Sequence, residues 1–189
     1  MIAEIMKIYE TIFSPIFVSG SILLYISFKN NGFNRFKEEF KILLISFLPV
    51  LMSLILYLYL VPKNPEFLKD VVVASSFLFS FGIVKTGYYE ERLSKEVFDY
   101  LLIIFIASVP FVLISPFWNI SGHVLFSTVP IFYLVLRKRG SFLLIIIPFI
   151  MVYNRPFLNE HTWFQSIFTL LFSLLIVGLK SKSIPHRGK

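Results

Sequence analysis

From Tyr100 to Leu136 the chain reads YLLIIFIASVPFVLISPFWNISGHVLFSTVPIFYLVL, without a single formally charged side chain. A helix needs about 20 apolar residues to span the hydrocarbon core of a bilayer, so this stretch is too long for one crossing. Pro110, Pro116, Asn119 and Gly122 interrupt it, and it must hold at least two segments. Similar uncharged runs lie on either side: Thr11 to Phe28, Ile42 to Pro62 and the shorter Val71 to Val84 before it, Gly140 to Asn154 and Thr162 to Leu179 after it. The third run can lengthen through Phe67, Leu68 and the Tyr88 and Tyr89 pair, and tyrosines suit the membrane interface. The expectation is all-α: a polytopic membrane helical bundle with six or seven transmembrane segments, multi-pass in a cell membrane. It forms a single membrane-embedded domain over residues 1–189.

Composition leads the same way. Of 189 residues, 57% are hydrophobic and 15% charged, against about 25% charged in soluble domains, which excludes a water-soluble globule. With this much Phe, Leu and Ile the chain buries more apolar surface than ordering its backbone costs, which excludes disorder. There is no cysteine, so thiol nucleophiles, disulfides and thiolate zinc sites are excluded and any chemistry uses oxygen and nitrogen groups. The net charge is +7, but the positive residues sit in short loops and the basic tail from Lys180 to Lys189. Such a pattern orients a membrane protein and forms no basic face for nucleic acid. Met1 to Glu10 carries Glu4 and Glu10 beside a single Lys7, unlike the positive start of a cleaved signal. No internal repeat or long linker is visible.

Ionisable groups beside membrane helices are costly and usually mark a site. Two of the three histidines open or precede apolar segments: His123 in Asn119-Ile120-Ser121-Gly122-His123, and His161 after Asn154-Arg155-Pro156-Phe157-Leu158-Asn159-Glu160. His186 lies in the tail. Two apolar segments joined by a turn at Arg137 to Arg139 run between them, so the chain crosses and returns and the histidines can meet. Arg155 lies six positions before His161, and Lys85 seven before Arg92. Two arginines, a lysine and two histidines point to an oxyanion: Arg offers a planar fork to phosphate, Lys a point charge, and the amides of a helix start at Ser121 to His123 can add donors. A histidine there can attack phosphorus while a second protonates the leaving oxygen. No metal or other cofactor is needed, since beyond Glu160 no carboxylate set accompanies the histidines.

On these residues the chain resembles the type 2 phosphatidic acid phosphatase superfamily of membrane lipid phosphatases, related to the vanadium haloperoxidases. That family's first motif is Lys, six residues, then Arg-Pro; Lys85 and Arg92 fit, with Leu93 for the proline. Its second is Pro-Ser-Gly-His, matched by Ser121, Gly122 and His123 with Ile120 for the proline. Its third is Ser-Arg, five residues, His, three residues, Asp; Arg155 and His161 fit, with Asn154 for serine and Gln165 for aspartate. The likeness covers roughly 85–179, and its specificity lies in the combination of motifs.

The resemblance implies metal-independent hydrolysis of a lipid phosphate or polyprenyl diphosphate. His161 would be the nucleophile forming a phosphohistidine and His123 the acid. Lys85, Arg92, Ser121, Gly122 and Arg155 would hold the phosphoryl oxygens. Gln165, expected one turn beyond His161 on the same helix face, would take the orienting place of the family's aspartate as a neutral acceptor, and Glu160 is expected to point elsewhere. The lost carboxylate opens an alternative, a catalytically impaired protein that binds or moves an anionic lipid.

Topology divides the readings further. If 98–117 crosses the bilayer, Lys85 and Arg92 lie opposite His123 and His161, and the positive-inside rule favours that crossing. The motif reading instead requires a broken or re-entrant segment, which Pro110 and Pro116 would allow, or other loop cations in place of the first motif. Plainer readings stand beside each motif: Ser121 as a helix cap, Arg155 and His161 as interfacial anchors, Lys85 and Arg92 as a positive loop, Gln165 as a hydrogen bond to a neighbouring helix.

Overall fold

A computed structural model describes residues 1–60, 66–115, 117–137 and 140–183. Among them every regular element is helical: α1 (Ile2–Ile12), α2 (Pro15–Leu60), α3 (Glu66–Tyr89), α4 (Lys95–Ile114), α5 (Gly122–Leu136), a 3-10 turn (Phe142–Ile145), α6 (Ile146–Phe157) and α7 (Trp163–Ser183). The chain forms two compact units. One comprises Met1–Ile22 with Ile120–Lys189, the other Leu23–Asn119.

Within the described residues two helices are long and apolar enough to cross a membrane, Lys95–Ile114 and Trp163–Lys180. A third span results if Ile2–Ile12 and Pro15–Lys29, bent by 41° at their junction, count as one. The helices at Gly122–Leu136 and Phe142–Phe157 are apolar but shorter.

In the unit Leu23–Asn119, the charged stretch expected as a loop around Lys29 to Lys41 keeps helical hydrogen bonding, so two expected segments are joined in α2. The helix is nevertheless far from straight. Ser27 donates to the fully buried carboxylate of Glu39, although 12 residues of straight helix span about 18 Å, so α2 bends sharply between them. Contacts of Phe36 with Phe28 and Phe40 and of Lys37 over the Phe33 ring line the bend. The other oxygen of Glu39 accepts from the Ser94 amide at 2.6 Å, where α4 begins. Glu39 therefore ties the α2 bend to the start of α4. Glu39→Ala strands a hydroxyl and an amide in a buried place and is expected to cost about 2–4 kcal/mol, a fall in thermal midpoint of roughly 4–16 °C in detergent.

α3 packs along α4 through stacked rings, Phe81 on Phe105 and Tyr88 on Phe98, both at 4.1 Å. It ends in a Schellman turn: the Arg92 amide reaches the Gly87 carbonyl and the Glu91 amide the Tyr88 carbonyl, with Glu91 at φ 59°. α4 continues through Pro110. The break that a re-entrant segment needs is thus absent at Pro110, and Pro116 lies outside the described residues.

In the other unit α5 is the central element. Its sequence carries no polar stripe, and a helix apolar all round is one that other elements surround; Val124 through Ile131 are all buried. α5 packs on α6 and α7, and α6 on α1 and α7. Val124, Met151, Val152 and Leu170 form a core cluster, joined by Tyr9 and Phe13 from the N-terminal segment.

Candidate functional site

The α6–α7 connection shows how local rules place a histidine. α6 ends in a second Schellman turn: the Glu160 amide donates to the Arg155 carbonyl and the Asn159 amide to the Pro156 carbonyl, each at 3.1 Å. Asn159 takes φ 60°, which asparagine tolerates better than most residues. α7 opens with a capping box, the Thr162 amide donating to Gln165 Oε1 at 2.8 Å and the Gln165 amide to Thr162 Oγ1 at 3.2 Å. His161 is the single residue between these two motifs. It stands beside a cleft of about 480 Å³ lined by Asn159, Glu160, Thr162 and Gln165 among others.

The Schellman turn folds Glu160 back so that its carboxylate pairs with Arg155 Nη2. Arg155, in the last turn of α6, is 4% exposed. Its Nη1 pairs with Glu10 Oε1 of α1 at 2.6 Å, and the same oxygen lies 3.4 Å from His123 Nε2. His123 is the second residue of α5. Four elements thus meet at one polar cluster: α1, α5, the end of α6 and the turn before α7.

The second-motif residues are distributed accordingly. Ser121 is fully buried and is the N-cap of α5: its Oγ accepts from the Val124 amide at 3.4 Å, and its own amide donates to Thr169 Oγ1 of α7 at 3.2 Å. The hydroxyl assigned to phosphate therefore serves the helix start, and the first-turn amides of Gly122 and His123 are those that a helix leaves without an internal acceptor. Asn154, in place of the motif serine, is buried and donates to the Met6 carbonyl at 2.7 Å. Gln165 does not lie one turn beyond His161 on a shared helix face, because α7 begins only at Trp163. Its carbonyl is bonded to the Thr162 amide. Glu160, expected to point away, turns toward Arg155 because the chain there is a capping turn and not a helix.

Lys85 and Arg92 belong to the other compact unit. Arg92 Nε pairs with Glu90 at 3.2 Å, both largely exposed, and Leu93, at the motif's proline position, is buried beside Gly87. The cluster around Arg155 is assembled from its own unit.

Two carboxylates in the cluster, Glu10 and Glu160, were not read as site residues. Glu10 had a sequence signal of its own, since it is an acidic residue immediately before the uncharged run at Thr11, where an ionisable group is unexpected. Among the described residues no group of three or more His, Asp or Glu is placed to hold a metal ion. Comparisons of the chain with protein-family models, with characterised proteins and with solved structures return no match.

Proposed function

We propose that this protein is a membrane-embedded lipid phosphatase, hydrolysing a lipid phosphate or polyprenyl diphosphate without a metal, as its likeness to the type 2 phosphatidic acid phosphatase superfamily implies. The observation that supports the reading is the polar cluster in which His123 Nε2 and the buried Arg155 share Glu10 Oε1, while Arg155 also pairs with Glu160, the residue immediately before His161. His161, at the edge of the cleft, attacks phosphorus; the phosphorus bond to the leaving oxygen breaks, and His123 gives that oxygen its proton. Arg155 and the amides of Gly122 and His123 face the charge that develops on the phosphoryl oxygens. Water then attacks the phosphohistidine and releases phosphate. The lipid enters sideways from the bilayer, and the remaining helices complete six or seven crossings of a cell membrane.

The test is phosphate release by the purified protein in detergent from a panel of polyprenyl and diacylglycerol phosphates, with and without a chelator. Chelator-resistant release from at least one lipid is the expected result; no release from any of them by folded protein overturns the reading.

A second reading, a protein that binds an anionic lipid without turnover, is favoured by one observation. Both guanidinium Nη atoms of Arg155 are paired with carboxylates, and Gln165, which stands for the family's aspartate, is committed to capping α7. Gln165→Asp separates the two. An aspartate at that position keeps a capping acceptor and adds a charge that can support a histidine cation, so an impaired enzyme gains turnover, roughly tenfold. A binder holds lipid phosphate equally well before and after, with no hydrolysis.

A further inference from the structure

The inward face of α1 consists of Met6, Tyr9 and Glu10, spaced as neighbours on a helix surface. Tyr9 Oη donates to the Ile147 carbonyl and Asn154 Nδ2 to the Met6 carbonyl, each at 2.7 Å, so α6 fixes α1 on the face that carries Glu10. The other face presents Ile2, Ile5, Ile8 and Ile12, each more than half exposed. Glu10 is thus delivered to the cluster by a helix held in place through its neighbours. Its side chain is 21% exposed, against 43% for Glu160.

We propose that Glu10 is a positioning residue of the cluster: a single carboxylate oxygen, shared by His123 Nε2 and Arg155 Nη1, fixes the imidazole ring and the guanidinium relative to each other. A hydrogen bond at one ring nitrogen sets the tautomer of a histidine. With the Glu10 oxygen 3.4 Å from Nε2, the ring proton is drawn to that nitrogen, and Nδ1 is the nitrogen that gains and loses one. The consequence for catalysis rests on the phosphatase reading; the geometric part does not.

The experiment is nitrogen NMR of protein labelled on its histidine rings, in detergent micelles. The three histidines are assigned by substituting each with glutamine, and free N-acetylhistidine in the same micelles serves as reference. In the unaltered protein the His123 shifts should report a proton held on Nε2. In Glu10→Ala the two tautomers mix and the two ring nitrogens move toward the values of a free imidazole in the same micelles. Glu10→Leu, which fills the volume without an acceptor, gives the same result if the alanine variant does not fold, and Glu10→Gln, which keeps an acceptor oxygen, retains the native tautomer. His123 shifts unchanged in the alanine or leucine variant overturn the proposal. Phosphate release is scored on the same preparations: Glu10→Ala should lower kcat roughly 10–100-fold with KM within about twofold. If the unaltered protein releases no phosphate, the phosphatase reading falls while the ring shifts still decide the role of Glu10.

Discussion

His161→Ala should reduce phosphate release from the lipid substrate by roughly 10⁴-fold or more, the scale of losing a covalent nucleophile. The fold should scarcely notice. His161 occupies a turn whose backbone is held by the Schellman bonds of Glu160 and Asn159 and by the Thr162–Gln165 box, and none of these uses the imidazole. The thermal midpoint should therefore move only by what losing one partly buried side chain outside the core costs, about 1 kcal/mol or roughly 2–4 °C. Lipid phosphate should still bind, because Arg155 and the α5 amides remain. Equal loss of binding and hydrolysis would place His161 among the anion ligands, and release that persists at the native rate would remove the phosphohistidine from the mechanism.

Arg155→Ala should show the opposite balance, a large effect on stability together with loss of activity. Removing one member of a buried charge cluster leaves its partners uncompensated, at a cost of about 3–5 kcal/mol. The exposed Glu160 can turn to water and the more buried Glu10 cannot, so the lower end, about 3 kcal/mol, is expected. That corresponds to a thermal midpoint lower by roughly 6–12 °C. The double variant Arg155→Ala with Glu10→Ala should recover part of this loss, since the stranded carboxylate goes too. Hydrolysis should not recover with it. If the double variant is less stable than the single one, the stranded Glu10 carboxylate is not the source of the loss.

The sequence disclosed most where one physical rule decides. The apolar runs around α4 and α7 read directly as helices, since a charge-free stretch of that length has few other stable forms. The Ser121 position was legible both ways, as a phosphate ligand and as a helix cap, and its cap bond is what the fold displays. Harder to see was α2, where the Lys29–Arg35–Lys41 stretch looks like a loop by charge; it stays helical because nothing in it removes a backbone donor, and bends where Ser27 and Glu39 meet. The roles of Glu10 and Glu160 were illegible for a different reason. Their roles depend on which residues end a helix and on a contact between α1 and α6 separated by more than a hundred positions, and neither follows from spacing along a single helix.

The two caps that flank His161 also act as a ruler. The first uses the chain from Arg155 to Glu160 and the second starts at Thr162, so only one residue fits between them, and every position from the guanidinium to the imidazole is already spoken for. Adding or deleting a residue there would rotate Glu160 off Arg155 or pull His161 into the first turn of α7. In evolutionary terms this segment should vary freely in side-chain identity at its solvent-facing positions while its length stays fixed. A circular permutation or epitope insertion at this turn should be far more damaging than its exposed position suggests.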